Sequence, residues 1–327
     1  MFKGAGKILR FLRKRTRRPR RFLVYVLTKM GIRGILLLSD HAAVVLGSWL
    51  GSAGYWLLRK YRLRTLRNLR LAFGDELNER QRREVALEVF RNCGRSMAEF
   101  VLQRRWRKAD LERRVRFLGA EACLRTLDEG RGILVVVAHF GNWELAAAAT
   151  VQCLGIPLGA VARELSNRGL DRVLNQSRAA SGVQVFLRGR GVRPMVKHLK
   201  AGKPLAVLVD QDTHKGHGIF VPFFGRPALT QRGPGLLAWR QNVPIVPIAM
   251  VRNPDGFTHT LHIEEAIKAP QGAERDEAVE FLVRSYTGVF ERHIRRFPSQ
   301  WMWMHDRWRR QPNEDGEIGA RLAIPHV

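Results

Sequence analysis

The chain has 327 residues, 45% of them hydrophobic, enough for one large α/β domain or two smaller ones around a real core. Its 57 lysines and arginines against 29 acids leave a formal charge of +28, which sets it apart from an ordinary cytosolic enzyme and demands a polyanionic partner, either nucleic acid or the anionic face of a membrane. Cys93, Cys123 and Cys153 are odd in number and lack metal-ligand or redox spacing, which excludes a disulfide framework and indicates reduced, mostly buried thiols in a cytoplasm.

The N-terminus chooses between the two polyanions. Residues 1–21 carry Lys3, Lys7, Arg10, Arg13, Lys14, Arg15, Arg17, Arg18, Arg20 and Arg21, and no acid precedes Asp40. Residues 42–58 are uncharged and end near Tyr55 and Trp56, and a second basic cluster follows from Arg59 to Arg70. No cleavable signal pattern is evident, because the apolar part begins too far in. A spanning helix needs roughly 20 apolar residues. The 42–58 stretch falls just short, with Asp40 and His41 interrupting its extension. A single span would also place one basic cluster on the far side, against the positive-inside tendency. Lying in the interface, or entering as a re-entrant hairpin turned near Gly51 and Gly54, keeps both clusters on one leaflet. A pair of buried core helices would leave the flanking charge without a reason. Residues 1–72 are therefore expected to form a basic tail and a helical membrane-docking segment, with an α/β domain over 73–327.

From Arg82 onward, Ala86, Val89, Phe90, Cys93, Met97, Phe100 and Val101 follow helical spacing and predict one amphipathic helix over 82–101. The pattern then changes to short apolar runs between helical segments. Strands are expected at 133–137, 158–162, 183–186, 205–209, 245–251 and 259–263, and helices at 143–153, 170–180, 194–199, 235–240 and 278–294. This alternation predicts an α/β sheet of crossover units flanked by helices, buried on both faces at 133–137 and 205–209. Ligands of such sheets sit at the strand ends, where His139 and Asp210 fall.

His139 ends the run 132–138, and Glu144 follows five residues later in the first turn of the next helix. If the loop folds back, Glu144 accepts from one imidazole nitrogen and leaves the other free as a general base. Asn142 caps that helix, whose N-terminal dipole favours a developing oxyanion. A surface histidine with an unrelated first-turn glutamate satisfies the same spacing.

HFGNWE at 139–144 resembles the H-x4-D/E motif of the lysophospholipid and glycerolipid acyltransferases. More specifically it is similar to the late, lauroyl/myristoyl-type lipid A biosynthesis acyltransferases and their relatives, the phosphatidylinositol mannoside acyltransferases. Arg67-Asn68-Leu69 with Ala72-Phe73, Phe90 to Gly94 with Glu99, Leu208 to Asp212 with Val221 to Gly225, and Pro298 to Trp303 with His305, Arg307 and Trp308 match further blocks in order. The resemblance covers roughly 59–310. It implies a glycerolipid-acyltransferase-like fold and transfer of a fatty acyl chain from a thioester, usually on acyl carrier protein, to a hydroxyl of a glycolipid or phospholipid at the inner face of a bacterial inner membrane. It makes His139 the base and Glu144 the acid that charges the imidazole, with no cofactor. No covalent acyl-enzyme is required, in keeping with the absence of a Gly-x-Ser-x-Gly elbow.

The loop Asp210 to His217 contains four ligand-type residues, Asp210, Asp212, His214 and His217, but their spacing matches no local coordination motif, so no metal is expected. The resemblance instead makes Asp210 and Asp212 line the acceptor site, and makes Arg163, just past the strand at 158–162, a phosphate-recognition residue; Asn142 completes the substrate-binding set. Arg188 and Arg190 are further candidates for anionic groups. Trp301, Trp303 and Trp308, interleaved with arginines, fit a stacking surface for nucleic acid, a membrane-facing edge or partial core burial. No RNP, zinc-finger or helix-turn-helix pattern accompanies the charge, so the partner expected is an anionic membrane surface and not nucleic acid.

Overall fold

The computed structural model describes residues 17–128, 130–189, 191–214, 216–313 and 318–321. Most of the basic tail, Lys3 to Arg15, and Arg190 lie outside the described residues.

Among the described residues, four helices open the fold: α1 (Arg17–Leu37), α2 (Asp40–Leu57), α3 (Arg59–Phe73) and α4 (Glu79–Leu102). Ser39 caps α2 by accepting from the Ala42 amide at 3.2 Å. Asp40, which breaks the apolar pattern, anchors that helix start: its carboxylate accepts from Arg105, from Arg114 and from Trp106 Nε1. The capping box of α4 is formed by Asn78 and Gln81.

The re-entrant hairpin does not occur. α2 runs unbroken through Gly51 and Gly54, and the chain turns only at Leu58. Its glycines serve close packing instead. A Cβ on Gly47 would lie 2.5 Å from the Gly94 carbonyl oxygen of α4, one on Gly51 2.2 Å from that of Phe90, and one on Gly94 2.0 Å from that of Gly47. Only hydrogen in place of a side chain lets the two backbones come this near. The opposite face of α2 is apolar and uncovered, with Trp49 74% and Trp56 67% exposed beside Leu46, Leu50 and Leu57, and α1 adds exposed Phe22, Leu23, Leu27 and Met30. Among the described residues, no helix is long and apolar enough to cross a membrane.

The rest is a mixed α/β layer. After α5 (Lys108–Arg114) come β1 (Val115–Leu118), α6 (Ala120–Asp128), β2 (Leu134–Val137), α7 (Trp143–Leu154), β3 (Gly159–Ala162), α8 (Arg168–Ala180), β4 (Gln184–Leu187), α9 (Arg193–Lys200) and β5 (Leu205–Leu208). A hairpin of β6 (Gly218–Phe223) and β7 (Arg226–Gln231) follows, then α10 (Gly233–Gln241), β8 (Ile245–Arg252), β9 (His259–Ile263) and α11 (Arg275–Arg296). β10 (Arg310–Pro312) and β11 (Ile318–Arg321) pair at the end. The main sheet has the order β1-β9-β8-β2-β5-β3-β4. β8, β2, β5, β3 and β4 run parallel, and β9 is antiparallel to β8. β2 is central and buried at every residue, as its unbroken Leu-Val-Val-Val run requires. Two clusters sandwich the sheet. One holds Leu134, Val136, Tyr286, Phe290 and Trp301; the other holds Val135, Val137, Leu145, Ala149 and Ile248.

The β6–β7 hairpin carries no sequence signal of its usual kind. Its two loop residues, Phe224 and Gly225, both have positive φ (52° and 67°), a conformation that normally calls for Asn-Gly. Phe224 holds it because its ring is buried against Phe73, Trp303 and Trp308 and its amide donates to Glu291 at 2.6 Å.

The α2–α4 contact is testable. Gly94→Ala should destabilise the protein by about 3 kcal/mol, since backbone rather than a side-chain tip would have to yield. Gly54→Ala, whose nearest neighbour would be a side-chain atom at 3.6 Å, should be neutral or slightly stabilising in chemical denaturation.

Candidate active site

The parallel pairing of β2 with β5 brings Val137 beside Leu208, so the residues that follow both strands emerge side by side. His139 and Asp210 meet there. The imidazole Nδ1 lies 2.7 Å from Asp210 Oδ1, and the His139 backbone amide donates to Oδ2 at 2.9 Å. Trp301 Nε1 donates to the same Oδ2 at 2.7 Å. A carboxylate facing Nδ1 keeps the proton on that nitrogen and leaves the Nε2 lone pair free. The His139 side chain is 16% exposed and that of Asp210 5%.

The electrostatics follow from this contact. Burial opposes charge on His139, but the Asp210 carboxylate, by charge and hydrogen bond, and the more distant Glu144 outweigh it and raise the imidazole pKa above its ordinary value. Burial likewise opposes charge on Asp210, yet His139 and the Trp301 donor bring its pKa down to about 2.

Glu144 is not the group on the imidazole. It lies in the first turn of α7 and turns to the last turn of α8, where Arg178 Nε donates to its Oε2 at 3.0 Å and a second guanidinium nitrogen donates to Oε1. The Arg178 guanidinium on α8 takes up its carboxylate, whereas Asp210 approaches the imidazole from the neighbouring strand. Arg178 has no sequence signal, being one arginine among many.

The loop holding His139 is clamped from two sides. His139 O accepts from Met302 N at 3.0 Å, Phe140 bridges Trp301, and Gly141 N donates to Gln300 O at 2.8 Å. Gly141 has φ +57°, and a Cβ there would sit 1.7 Å from the Met250 carbonyl oxygen, so this position of HFGNWE admits only glycine. Asn142 caps α7 by accepting from Leu145 N at 3.0 Å, while its amide donates to buried Glu99 at 2.8 Å. Both ends of the side chain are thus used within the protein, not turned outward to a substrate. Glu99 in turn is held bidentately by Arg252. Burial disfavours its charge, but His259 and Arg252 lower its pKa all the same.

The other expected residues are dispersed. Asp210 does not line an open acceptor surface, because both its oxygens are engaged by His139 and Trp301. Asp212 is tied to Arg310, and its amide donates to His305 Nε2 at 3.0 Å. Arg163 and Arg188 are exposed beyond β3 and β4, at the same end of the sheet as His139. His214 and His217 are exposed, and among the described residues no three His, Cys, Asp or Glu side chains are grouped to hold a metal. Trp301, Trp303 and Trp308 are all buried, so they form core and neither a nucleic-acid nor a membrane surface.

The Glu144–Arg178 pair, with both side chains about one-fifth exposed, should show a coupling of about 1–3 kcal/mol. A double-mutant cycle of Glu144→Gln and Arg178→Gln, read by denaturation, measures it.

Comparison with known proteins places this geometry in a context. The sequence matches the family of bacterial lipid A biosynthesis acyltransferases over residues 11–310. It is 28% identical over 293 residues to the lipid A biosynthesis lauroyltransferase of Escherichia coli K12, covering 88% of this chain and 93% of that protein. It is 25% identical over 268 residues to the lipid A biosynthesis palmitoleoyltransferase of the same organism, covering 82% and 85%. A phosphatidylinositol mannoside acyltransferase of Mycolicibacterium smegmatis is 25% identical over 186 residues, covering 56% of this chain and 58% of its own length. The match runs along most of the chain, and this enzyme belongs to the bacterial lipid A biosynthesis acyltransferase family.

Proposed function

We propose that the enzyme moves a fatty acyl group from a thioester on acyl carrier protein to a hydroxyl of a lipid A-type glycolipid precursor, with His139 as general base. The observation that carries this reading is the 2.7 Å contact between His139 Nδ1 and Asp210, which leaves Nε2 free to take the hydroxyl proton. Asp210 holds the tautomer and stabilises the imidazolium that forms; Glu144 adds its charge from a distance and, through Arg178, joins α7 to α8. A lipid A-type acceptor is favoured over a mannosylated phosphatidylinositol because the similarity to the former group runs along most of the chain.

The site of action that fits best is the cytoplasmic leaflet of a bacterial inner membrane. The uncovered apolar face of α1 and α2 supports interfacial docking, and the +28 charge supports an anionic surface. The tight α2–α4 contact supports a helix that stays with the protein while its outer face enters the lipid.

The purified enzyme should convert an acyl carrier protein thioester and a glycolipid acceptor to an ester, followed by mass spectrometry of the product. His139→Ala should lower turnover by at least 10²–10⁴-fold with folding intact. Normal turnover in the folded variant would end this reading.

The rate should fall as pH drops through the raised imidazolium pKa, because only neutral imidazole accepts a proton, so the acidic limb should lie above about 6.5. Asp210→Asn should reduce turnover and move that limb to lower pH, since it removes the charge that favours imidazolium. A limb unmoved in a pH–rate profile would dissociate Asp210 from His139.

Removing residues 1–21 should weaken binding to anionic vesicles more at low salt than at high, at about 1 kcal/mol per lost charge near the surface. Trp49→Ala with Trp56→Ala should instead weaken the salt-resistant part. Cosedimentation at two ionic strengths separates the two.

A further inference from the structure

We propose that Gln211 is a catalytic residue of this reaction, its side-chain amide donating a hydrogen bond to the oxyanion that forms on the thioester carbonyl; this rests on the reading of His139 as general base. Gln211 follows Asp210 directly and is half-buried, and its Nε2 lies 3.4 Å from His139 Nε2. The imidazole nitrogen it faces carries a lone pair, because Asp210 holds the ring proton on Nδ1. Only a donor fits opposite a lone pair, so the amide presents its NH2 end.

Four other side-chain donors near the site are already engaged. Trp301 Nε1 is given to Asp210, the Asn142 amide to Glu99, Arg178 to Glu144 and Arg310 to Asp212. The Gln211 amide has two N–H bonds, and among the described residues its hydrogen-bond contact is the weak 3.4 Å one to His139 Nε2, which an entering hydroxyl would displace.

The step then balances. His139 Nε2 takes the proton of the acceptor hydroxyl as its oxygen bonds to the thioester carbon, and the carbonyl π pair moves to oxygen. That oxygen is two bonds from the attacking atom, within reach of a donor that already touches the base, and an amide there replaces water as its hydrogen-bond partner. On collapse the carbon–sulfur bond breaks, the thiol leaves with the proton returned by His139, and the ester remains. A neutral amide suits the place, since a cation so close to Nε2 would lower the basicity that Asp210 and Glu144 raise.

Steady-state kinetics with an acyl carrier protein thioester and glycolipid acceptor test the assignment, with His139→Ala run in parallel. Gln211→Ala should lower kcat by about 10²–10³-fold with KM little changed. Gln211→Glu, of equal size, puts an acceptor-only carboxylate at Nε2. It should be no more active than Gln211→Ala and should move the acidic limb of the pH–rate profile to higher pH, a shift that a merely structural residue would not cause. An inactive His139→Ala beside a Gln211→Ala of normal kcat would overturn the Gln211 assignment alone. An active His139→Ala would overturn the base and Gln211 together. A rise in KM at constant kcat in Gln211→Ala would make it a ground-state binding residue and overturn the oxyanion role. If Gln211→Ala does not fold by circular dichroism, Gln211→Glu decides: kcat near normal, or an unmoved limb, overturns the proposal.

Discussion

The site depends on one buried carboxylate. Asp210 accepts from His139 Nδ1, from the His139 backbone amide and from Trp301 Nε1, so a single group joins the end of β5, the loop after β2 and the C-terminal segment. Taking a carboxylate out of water is costly, and three converging donors offset that cost only while all three are in place. The same donors that make burial tolerable hold the charge on Asp210 and the proton on Nδ1. Stability and the tautomer needed for base chemistry thus come from one arrangement.

A second layer fixes that arrangement. Asn68 Nδ2 donates to Trp303 O at 2.7 Å and to His305 O at 2.6 Å, and Asn92 Nδ2 donates to Ser299 O at 3.1 Å. These bonds hold the segment that supplies Trp301 and pairs with the His139 loop. From the other side Glu99, pinned by Arg252, holds Asn142 at the start of α7. Residues far apart in the chain therefore form one scaffold around the strand ends, and none of these supporting side chains needs to meet a substrate. Rigidity of this kind is what lets a weakly basic imidazole be placed within a fraction of an ångström.

The N-terminal helices show two uses of one apolar stretch. The glycine-lined side of α2 approaches α4 backbone to backbone, and the tryptophan- and leucine-bearing side is left exposed among the described residues. Summed hydropathy treats both sides alike; packing separates a face that belongs to the core from one left exposed.

Periodicity and apolar runs by themselves determined the six main-sheet strands between 133 and 263 and the helices between them, but not the β6–β7 hairpin, because a strand buried on both faces needs an unbroken Val/Leu/Ile run and a half-buried helix needs its 3.6-residue stripe. They also put His139 and Asp210 at strand ends. What stayed hidden was local structure whose cause is distant. α3 is dense in arginine, β1 is edge-like, and the Phe224-Gly225 turn lacks the usual residues and is held by aromatic packing. The motif HFGNWE pointed to His139 as the base, and spacing together with the resemblance suggested Glu144 as its partner. Only the tertiary structure decided otherwise, since Arg178 of α8 takes the Glu144 carboxylate, while the register of β2 against β5 delivers Asp210 to the imidazole from 71 residues away.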